Sequence, residues 1–387
     1  MVLTRYQTVL RQPHVARLLI TAILARLPQG MSGLAVILFL TPRLGYGRAG
    51  VATGVSVATA GIANIVLARA VDRIGVRRVI GPAALLYALV AIALAGSGGD
   101  RYGVQLVICA LLGLVTPPIT SVSRAMWTWF LDAEQATVIY GLEATAQELI
   151  FIAGPATVAL VAGLSSAKAA LVISGAVGLL GAVAYISAPP FADPPRRGAG
   201  ERHHVLRGTR VLVYAGVGTC LIGGFGITEI STVAFVGGQN ASARAGVVLA
   251  LWSAGSLVGG ILFGASSSAV TDARLARAIV VIAGGLALAA VAPGAIVLAV
   301  ILCGSGMAVA PTLARLYSRM GSAAGDASKT EAFGWLAVGF LAGASGGSAL
   351  GGASVDAIGA RWTFVVASGV ALCAVPIITL RRTGSVA

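Results

Sequence analysis

The chain has 387 residues, of which 57% are hydrophobic and only 10% charged, and its mean hydropathy is +0.93. Soluble domains carry about 25% charged residues, so a soluble protein of this length could not bury so much apolar sequence. The net charge of +14 would suggest nucleic acid in a soluble protein, but the arginines lie in short loops between apolar runs, and this pattern indicates membrane topology instead.

Apolar runs long enough to cross a bilayer, about 20 residues each, follow one another along the chain. They are continuous rather than alternating, which favours helices over barrel strands. We therefore predict an all-α membrane protein with twelve transmembrane helices. In chain order the predicted spans are 16–40, 49–68, 79–96, 102–123, 136–163, 168–187, 211–235, 245–266, 278–292, 294–314, 330–352 and 362–380.

The first and last six spans carry matching landmarks. Pro118 near the end of span four matches Pro311 near the end of span ten, and the other landmarks repeat at the same separation of 193 or 194 residues. Duplicated halves facing a central site are common in secondary transporters. We predict two pseudo-symmetric six-helix bundles at 1–187 and 211–387, joined by a polar, proline-rich linker at 188–210.

The basic residues predict the orientation. With the N-terminus in the cytoplasm, 20 of the 27 Lys and Arg residues fall on the inside, six fall in outside loops, and Arg26 lies within a span. Cytoplasmic loops of membrane proteins carry this excess. We therefore expect both termini and the linker to be cytoplasmic and the protein to be a multi-pass monomer in the cell membrane. We identify no removable signal peptide.

The predicted loop between spans two and three carries a recognisable pattern. Residues 68–78 read Ala-Arg-Ala-Val-Asp-Arg-Ile-Gly-Val-Arg-Arg, which resembles the signature Gly-x-x-x-Asp-Arg-x-Gly-Arg-Arg of the major facilitator superfamily of transporters. Ala68 replaces the first glycine and Val76 replaces one basic position. The positions in register are Asp72, Arg73, Gly75 and Arg77.

This resemblance implies a cytoplasmic gate. In the family the loop latches the two halves together when the carrier faces outward, and we assign that role to Asp72, Arg73 and Arg77. On physical grounds alone, Gly75 permits the positive φ of a tight turn, and Asp72 can accept hydrogen bonds from a helix N-terminus. Two further residues extend the proposed gate, although the first could instead snorkel to the membrane interface: Arg124 and Asp132.

Span five contains Gly154-Pro155. The pair resembles part of the Gly-Pro-x-x-Gly-Gly pattern of drug:proton antiporters, although Val158 and Ala159 replace the final glycines. The resemblance implies export. A proline kink beside glycine is also what any bending transport helix could use.

Four charged residues lie inside predicted spans, where a charge costs at least about 2.5–3.5 kcal/mol. They are Arg26, Glu143, Glu148 and Glu229. Such groups should pair, face the interior or change protonation state. Because Arg26 lies at a depth similar to that of Glu143 and Glu148, we hypothesise that it pairs with one of them.

The geometry of span five separates its two glutamates. Gln147 shares a helix face with Glu143, whereas Glu148 is turned about 140° away. A carboxyl group in a low dielectric can take up a proton near neutral pH, so Glu143, Glu148 and Glu229 are candidates for proton coupling. Two alternatives remain open: an ion pair that fixes helix register at span five, and an exposed position near the outer mouth for Glu229.

Other chemistry is not indicated by the sequence. No phosphate-binding loop, His-Glu-x-x-His or Gly-x-Ser-x-Gly occurs. We expect no cofactor, metal, nucleic acid or enzymatic activity, and we predict secondary active transport of a small molecule by proton-coupled efflux. The alternatives are uptake of a metabolite by proton symport and a non-transporting receptor. The cysteines all lie in apolar runs without a metal or disulfide spacing: Cys109, Cys220, Cys303 and Cys373.

Overall fold

The computed structural model describes residues 9–12, 14–98, 100–131, 133–188, 209–237, 241–263, 271–323 and 329–379. Regular structure in these ranges is helical, which confirms the predicted fold class. In chain order the main helices are α1 (Val15–Ile74), α2 (Val76–Gly96), α3 (Tyr102–Leu114), α4 (Ile119–Phe130), α5 (Ala133–Leu164), α6 (Ala167–Ile186), α7 (Thr209–Phe235), α8 (Ala241–Phe263), α9 (Asp272–Ala289), α10 (Ala295–Gly306), α11 (Val309–Ala323), α12 (Lys329–Leu372) and α13 (Ala374–Thr379).

Two of these helices each hold two predicted spans. In α1 the helical backbone is broken at Gly45 (φ 77°), and in α12 it is broken at Gly359 (φ 83°). Nine helical stretches within the described ranges are long and apolar enough to cross a membrane, with α1 and α12 counted once each and with α3–α4 and α10–α11 each counted as one stretch. Among the remaining helices, α9 coincides with predicted span nine. The helices are therefore consistent with the twelve predicted spans.

Spans four and ten are each interrupted, which the sequence did not predict. The first break separates α3 from α4 at 115–118, and the second separates α10 from α11 at 307–308. Proline explains both breaks, because it has no N–H to donate to the carbonyl four residues earlier. Pro117 and Pro118 lie in the first break, and Pro311 removes the donor that would bond to Met307.

The helix ends form two faces. We call the face that carries Ile186 and Thr209 the linker face, and the other the opposite face. On the linker face, Arg77 Nε donates to the Ile186 carbonyl oxygen at 3.1 Å. On the opposite face, Arg43 Nε lies 3.5 Å from Asp100 Oδ1.

The buried core differs between the two faces. We call α1–α6 the first half and α7–α13 the second half. One apolar cluster runs through both halves toward the opposite face and includes Phe39 and Phe364. Two separate clusters lie toward the linker face, one around Ile80 in the first half and one around Leu275 in the second. The halves are thus packed together at the opposite face and have separate cores at the linker face.

Close backbone contact joins the halves where α1 crosses α12. A Cβ atom placed on Gly54 would lie 2.5 Å from the carbonyl oxygen of Ser345. Only glycine fits this spacing, since real Cβ atoms do not approach so closely. The division into bundles at 1–187 and 211–387 stays a prediction, and most of the linker at 188–210 lies outside the described residues.

Candidate functional site

A buried ion pair lies inside the first half. Arg26 Nη2 on α1 lies 2.6 Å from Glu143 Oε1 on α5, and each side chain is 1% exposed. The hypothesised pairing of Arg26 with a glutamate of span five is therefore present in the structure. The pair joins α1 to α5, and neither charge could remain there alone without a large desolvation cost.

A second arginine approaches the same carboxylate. Arg124 Nε on α4 lies 3.5 Å from Glu143 Oε2, and the Arg124 side chain is 59% exposed. This approach does not meet hydrogen-bond geometry, because Glu143 Oε2 has no hydrogen-bond partner among the described residues. One carboxylate thus lies between two guanidinium groups, of which the exposed one is that of Arg124.

Glu148 faces the other way. Its half-buried carboxyl group is directed at Ser256 on α8, and it lies within electrostatic range of the Tyr317 hydroxyl on α11. Both of these neighbours belong to the second half. The turn of about 140° between Glu143 and Glu148 thus sends one carboxyl group into the first half and the other toward the boundary between the halves. Gln147 is half-buried beside them.

Glu229 also lies at the boundary between the halves. A Cβ atom placed on Gly33 of α1 would lie 3.0 Å from Glu229 Oε1 on α7. The Glu229 side chain is half-buried, and its carboxyl group forms no hydrogen bond or ion pair with the described part of the chain. Glu148 and Glu229 therefore each lie at the boundary between the halves, and neither has an ion-pair partner among the described residues.

Unsatisfied polar atoms occur one turn apart on α8. Trp252 Nε1 and Ser256 Oγ are buried and have no hydrogen-bond partner among the residues that the structure describes. The Trp252 ring packs edge-on against Phe225, with centroids 5.2 Å apart. Leaving a buried donor unpaired costs about 1–3 kcal/mol. These two atoms therefore indicate a place where a bound molecule or a water would supply the missing hydrogen-bond partners. The Ser256 hydroxyl approaches Glu148 without meeting hydrogen-bond geometry.

Sequence reasoning missed Trp252, Ser256 and Tyr317. Each is a single polar or aromatic residue in a predicted helix, and such residues are ordinary in membrane proteins. The signal that could have found two of them is the spacing of Trp252 and Ser256, which are four residues apart and therefore share one helix face.

Asp72, Arg73 and Arg77 of the predicted gate lie on the linker face, and within the described ranges they form no hydrogen bond or ion pair between the halves. Asp72 and Arg73 are exposed, and the structure gives them no hydrogen bond or ion pair within the described ranges. Gly75 has φ 96°, as expected for the tight turn. Arg77 bonds within the first half to Ile186, and Asp132 lies outside the described residues.

The Gly-Pro pair of α5 lies where three helices meet. A Cβ atom placed on Gly154 would lie 2.5 Å from the carbonyl carbon of Gly30 on α1. The Pro155 carbonyl oxygen would lie equally close, at 2.5 Å, to a Cβ atom on Gly246 of α8. The helix runs through Pro155 without a break in its assignment. The pair thus touches both halves, and its role as a kink stays a prediction.

A large cavity lies away from these charges. It has a volume of about 560 Å³ at the opposite face of the second half, and Phe235, Arg244, Arg361 and Trp362 line it. None of the buried carboxyl groups borders it. In the described ranges no group of three or more His, Cys, Asp and Glu residues could hold a metal ion. We therefore assign the candidate site to Glu148, Glu229 and their neighbours between the halves.

Comparison with known families decides the class of protein. The sequence profile of the Major Facilitator Superfamily matches residues 18–329. The chain belongs to the major facilitator superfamily. This member is a multi-pass membrane protein with the fold of secondary transporters, and it is not an enzyme. Sequence comparison with curated proteins gives no match.

Solved transporter structures share the fold. The nucleoside transporter NupG, in a mutant form, has a TM-score of 0.68 and 14% identity, covering 94% of this chain and 98% of its own. The POT family transporter PepTSo has a TM-score of 0.70 and 11% identity, covering 96% of this chain and 98% of its own. A bacterial homolog of the human lysosomal transporter Spinster, in an inward-facing and occupied conformation, has a TM-score of 0.70 and 13% identity, covering 95% of this chain and 96% of its own. At these identities the likeness establishes the fold alone.

Proposed function

We propose that this superfamily member exports a small molecule from the cell in exchange for protons, by alternating access. The linker face is cytoplasmic in this proposal, following the distribution of basic residues. The separate apolar cores at that face support a conformation open to the cytoplasm. The shared core at the opposite face supports a closed outer side.

The proton-coupling proposal depends on one observation: Glu148 and Glu229 lie between the halves and have no cation partner in the described structure. A carboxyl group removed from water disfavours its charged form. Alternating access changes the water exposure of groups at the boundary in every cycle, so these two carboxyl groups would bind and release protons as the halves move. They are our proposed coupling residues.

The Arg26–Glu143 pair has a different role in this scheme. Both residues belong to the first half, so rigid movement of the halves leaves their 2.6 Å contact intact. Charge compensation of the pair is then the same in both conformations. We assign the pair to holding α1 against α5 and to positioning Arg124.

The direction of transport rests on Gly154-Pro155. Its resemblance to the antiporter pattern and its position against both α1 and α8 support a role in the movement of an exporter. Proton-coupled uptake is the competing hypothesis, since the same carboxyl groups could serve a symporter.

The test begins with a ligand. A thermal-shift screen of the purified protein against diverse small molecules identifies those that bind the folded state and raise its melting temperature. Uptake of a labelled hit is then measured in inverted membrane vesicles with an acidic lumen. Export by antiport predicts accumulation in the lumen that collapses when the pH gradient is dissipated.

The variants E148Q and E229Q test the proposed coupling residues, and E143Q tests the glutamate of the buried ion pair. We expect E148Q or E229Q to lose uphill accumulation while still equilibrating the ligand downhill. Accumulation equal to that of wild type in all three variants would exclude coupling through these residues. Accumulation only when the vesicle exterior is acidic would establish symport and replace the export proposal.

A further inference from the structure

One carboxylate of the second half caps a helix of the first half. Asp356 Oδ2 accepts a hydrogen bond from the Gly47 backbone N–H at 2.7 Å, and Asp356 Oδ1 accepts one from the Tyr46 N–H at 3.2 Å. These are the first two N–H groups after the break at Gly45. The first N–H groups of a helix have no partner within it and carry partial positive charge, so an aspartate is well suited to bind them.

Asp356 belongs to a second copy of the loop pattern. Residues 71–77 read Val-Asp-Arg-Ile-Gly-Val-Arg, and residues 355–361 read Val-Asp-Ala-Ile-Gly-Ala-Arg, which is identical at five of seven positions. The backbone repeats as well, with Gly75 at φ 96°, ψ 155° and Gly359 at φ 83°, ψ 162°. The first copy lies on the linker face and the second on the opposite face.

The two copies are in different states. Asp72 is exposed at the face where the halves have separate cores, and it accepts no hydrogen bond in the described ranges. Asp356 is bonded across the halves at the face where their core is continuous. We propose that Asp356 is the latch of the outer gate, which holds the opposite face closed while the linker face is open. This inference rests on alternating access, and it adds an outer counterpart to the gate expected at Asp72.

The geometry fits a contact that forms and breaks. A Cβ atom on Gly47 would lie 2.6 Å from Asp356 Oδ2, so a side chain at position 47 would displace the carboxylate from its present position against the backbone. Asp356 is exposed to solvent, and water can therefore replace the two N–H donors when the halves separate. A deeply buried carboxylate would lose that replacement and would make opening slow.

The test measures the two gates directly in a cysteine-free background, without ligand or pH gradient. Paired spin labels at Lys168 and Val291 report the distance across the opposite face, and labels at Arg78 and Arg277 report the linker face; all four positions are exposed. The latch predicts that D356A lengthens the first distance and shortens the second. We expect the ratio of open to closed outer gates to rise about 5- to 30-fold.

Graded and matched variants make the result specific. D356N keeps one acceptor oxygen and should give a smaller shift than D356A. G47A breaks the same contact from the other side and keeps the carboxylate, so it tests the latch even if D356A does not fold. D72A and D100N change aspartates that make no contact between the halves in the described structure, and neither should open the outer gate.

Two results would overturn the latch: unchanged distances in both D356A and G47A, or equal shifts in D100N. The export proposal can fail independently, because the distances are measured without substrate. Shifted distances together with absent proton coupling would keep the latch and discard the coupling residues.

Discussion

Arg26 Nη2 and Glu143 Oε1 are 2.6 Å apart in a part of the first half where each side chain is 1% exposed. Arg26 Nε has no hydrogen-bond partner among the described residues. The stability of this charge therefore depends on a single carboxylate, with Arg124 as a second and more exposed cation beside it. Removing one member of such a pair is more damaging than removing both.

We predict that E143Q lowers the free energy of unfolding by about 3–5 kcal/mol, because it leaves Arg26 buried without a counter-ion. The double variant R26M/E143L should recover much of this loss, since no buried charge remains. Thermal and denaturant unfolding of the purified protein in one detergent would measure both effects. D100N is the matched control: Asp100 pairs with Arg43 while 81% exposed, and loss of such a pair costs at most about 1 kcal/mol.

Equal losses in E143Q and D100N would show that the buried pair is not structural. A double variant no more stable than E143Q would point instead to a packing role for the two side chains.

The contact between α1 and α12 gives a second prediction. G54A places a Cβ atom 2.5 Å from the Ser345 carbonyl oxygen, so the helices must separate, at a cost of about 1–3 kcal/mol. Gly346 lies on the same helix as Ser345, and nothing lies within 4 Å of a Cβ atom placed there. G346A should be neutral or slightly stabilising, because alanine favours a helix over glycine. Melting temperatures of the two variants would decide, and a larger loss in G346A would contradict the close contact.

A polar cluster on the linker face of the second half gives a third prediction. Arg319 Nε lies 2.7 Å from Asp272 Oδ1, and the Tyr214 hydroxyl donates to the same oxygen at 2.8 Å. These residues join α7, α9 and α11. Y214F should lower the free energy of unfolding by about 0.5–1.5 kcal/mol, and D272N should lower it further.

The control for this cluster is Y102F. The Tyr102 hydroxyl forms no hydrogen bond with the described residues, and its ring centroid lies 5.4 Å from the Arg48 guanidinium carbon. If unfolding measurements give Y102F the same loss as Y214F, the hydrogen bond to Asp272 does not account for the effect.

The orientation gives a fourth prediction. Arg73 and Arg101 are both exposed, on the linker face and the opposite face respectively. In a cysteine-free background, a membrane-impermeant maleimide added to intact cells should label R101C and leave R73C unlabelled until the membrane is permeabilised. Labelling of R73C from outside would reverse the assigned topology.

The fold could be predicted because the length of each hydrophobic run is read directly from the sequence. The breaks in spans four and ten were not predicted, although the missing N–H groups of their prolines explain them. Depth along a helix was also enough to suggest a partner for Arg26. Rotation about a helix axis was not predictable to the same degree. Glu148 and Ser256 meet because α5 and α8 pack in one particular orientation, and that orientation depends on side chains from several helices.

Asp356 was missed for a different reason. A duplicated half should carry a second copy of the loop pattern in the loop before α9, but residues 271–277 there read Thr-Asp-Ala-Arg-Leu-Ala-Arg, and Asp272 bonds to Arg319 within its own half. The second copy lies on the other side of the molecule. Its partners are backbone N–H groups, which every residue except proline possesses, so no particular side chain marks them in the sequence.

Because Asp356 binds the backbone of residues 46 and 47, evolution can vary the side chain at position 46 without weakening the hydrogen bonds. A side chain at position 47 would displace the carboxylate, and acceptance from both N–H groups as observed requires a carboxylate at position 356. Neither position compensates for change in the other, so the contact would leave no covariation signal in descendants of this sequence. A search for coupled substitutions would therefore overlook the bond that joins the two halves at their outer edge.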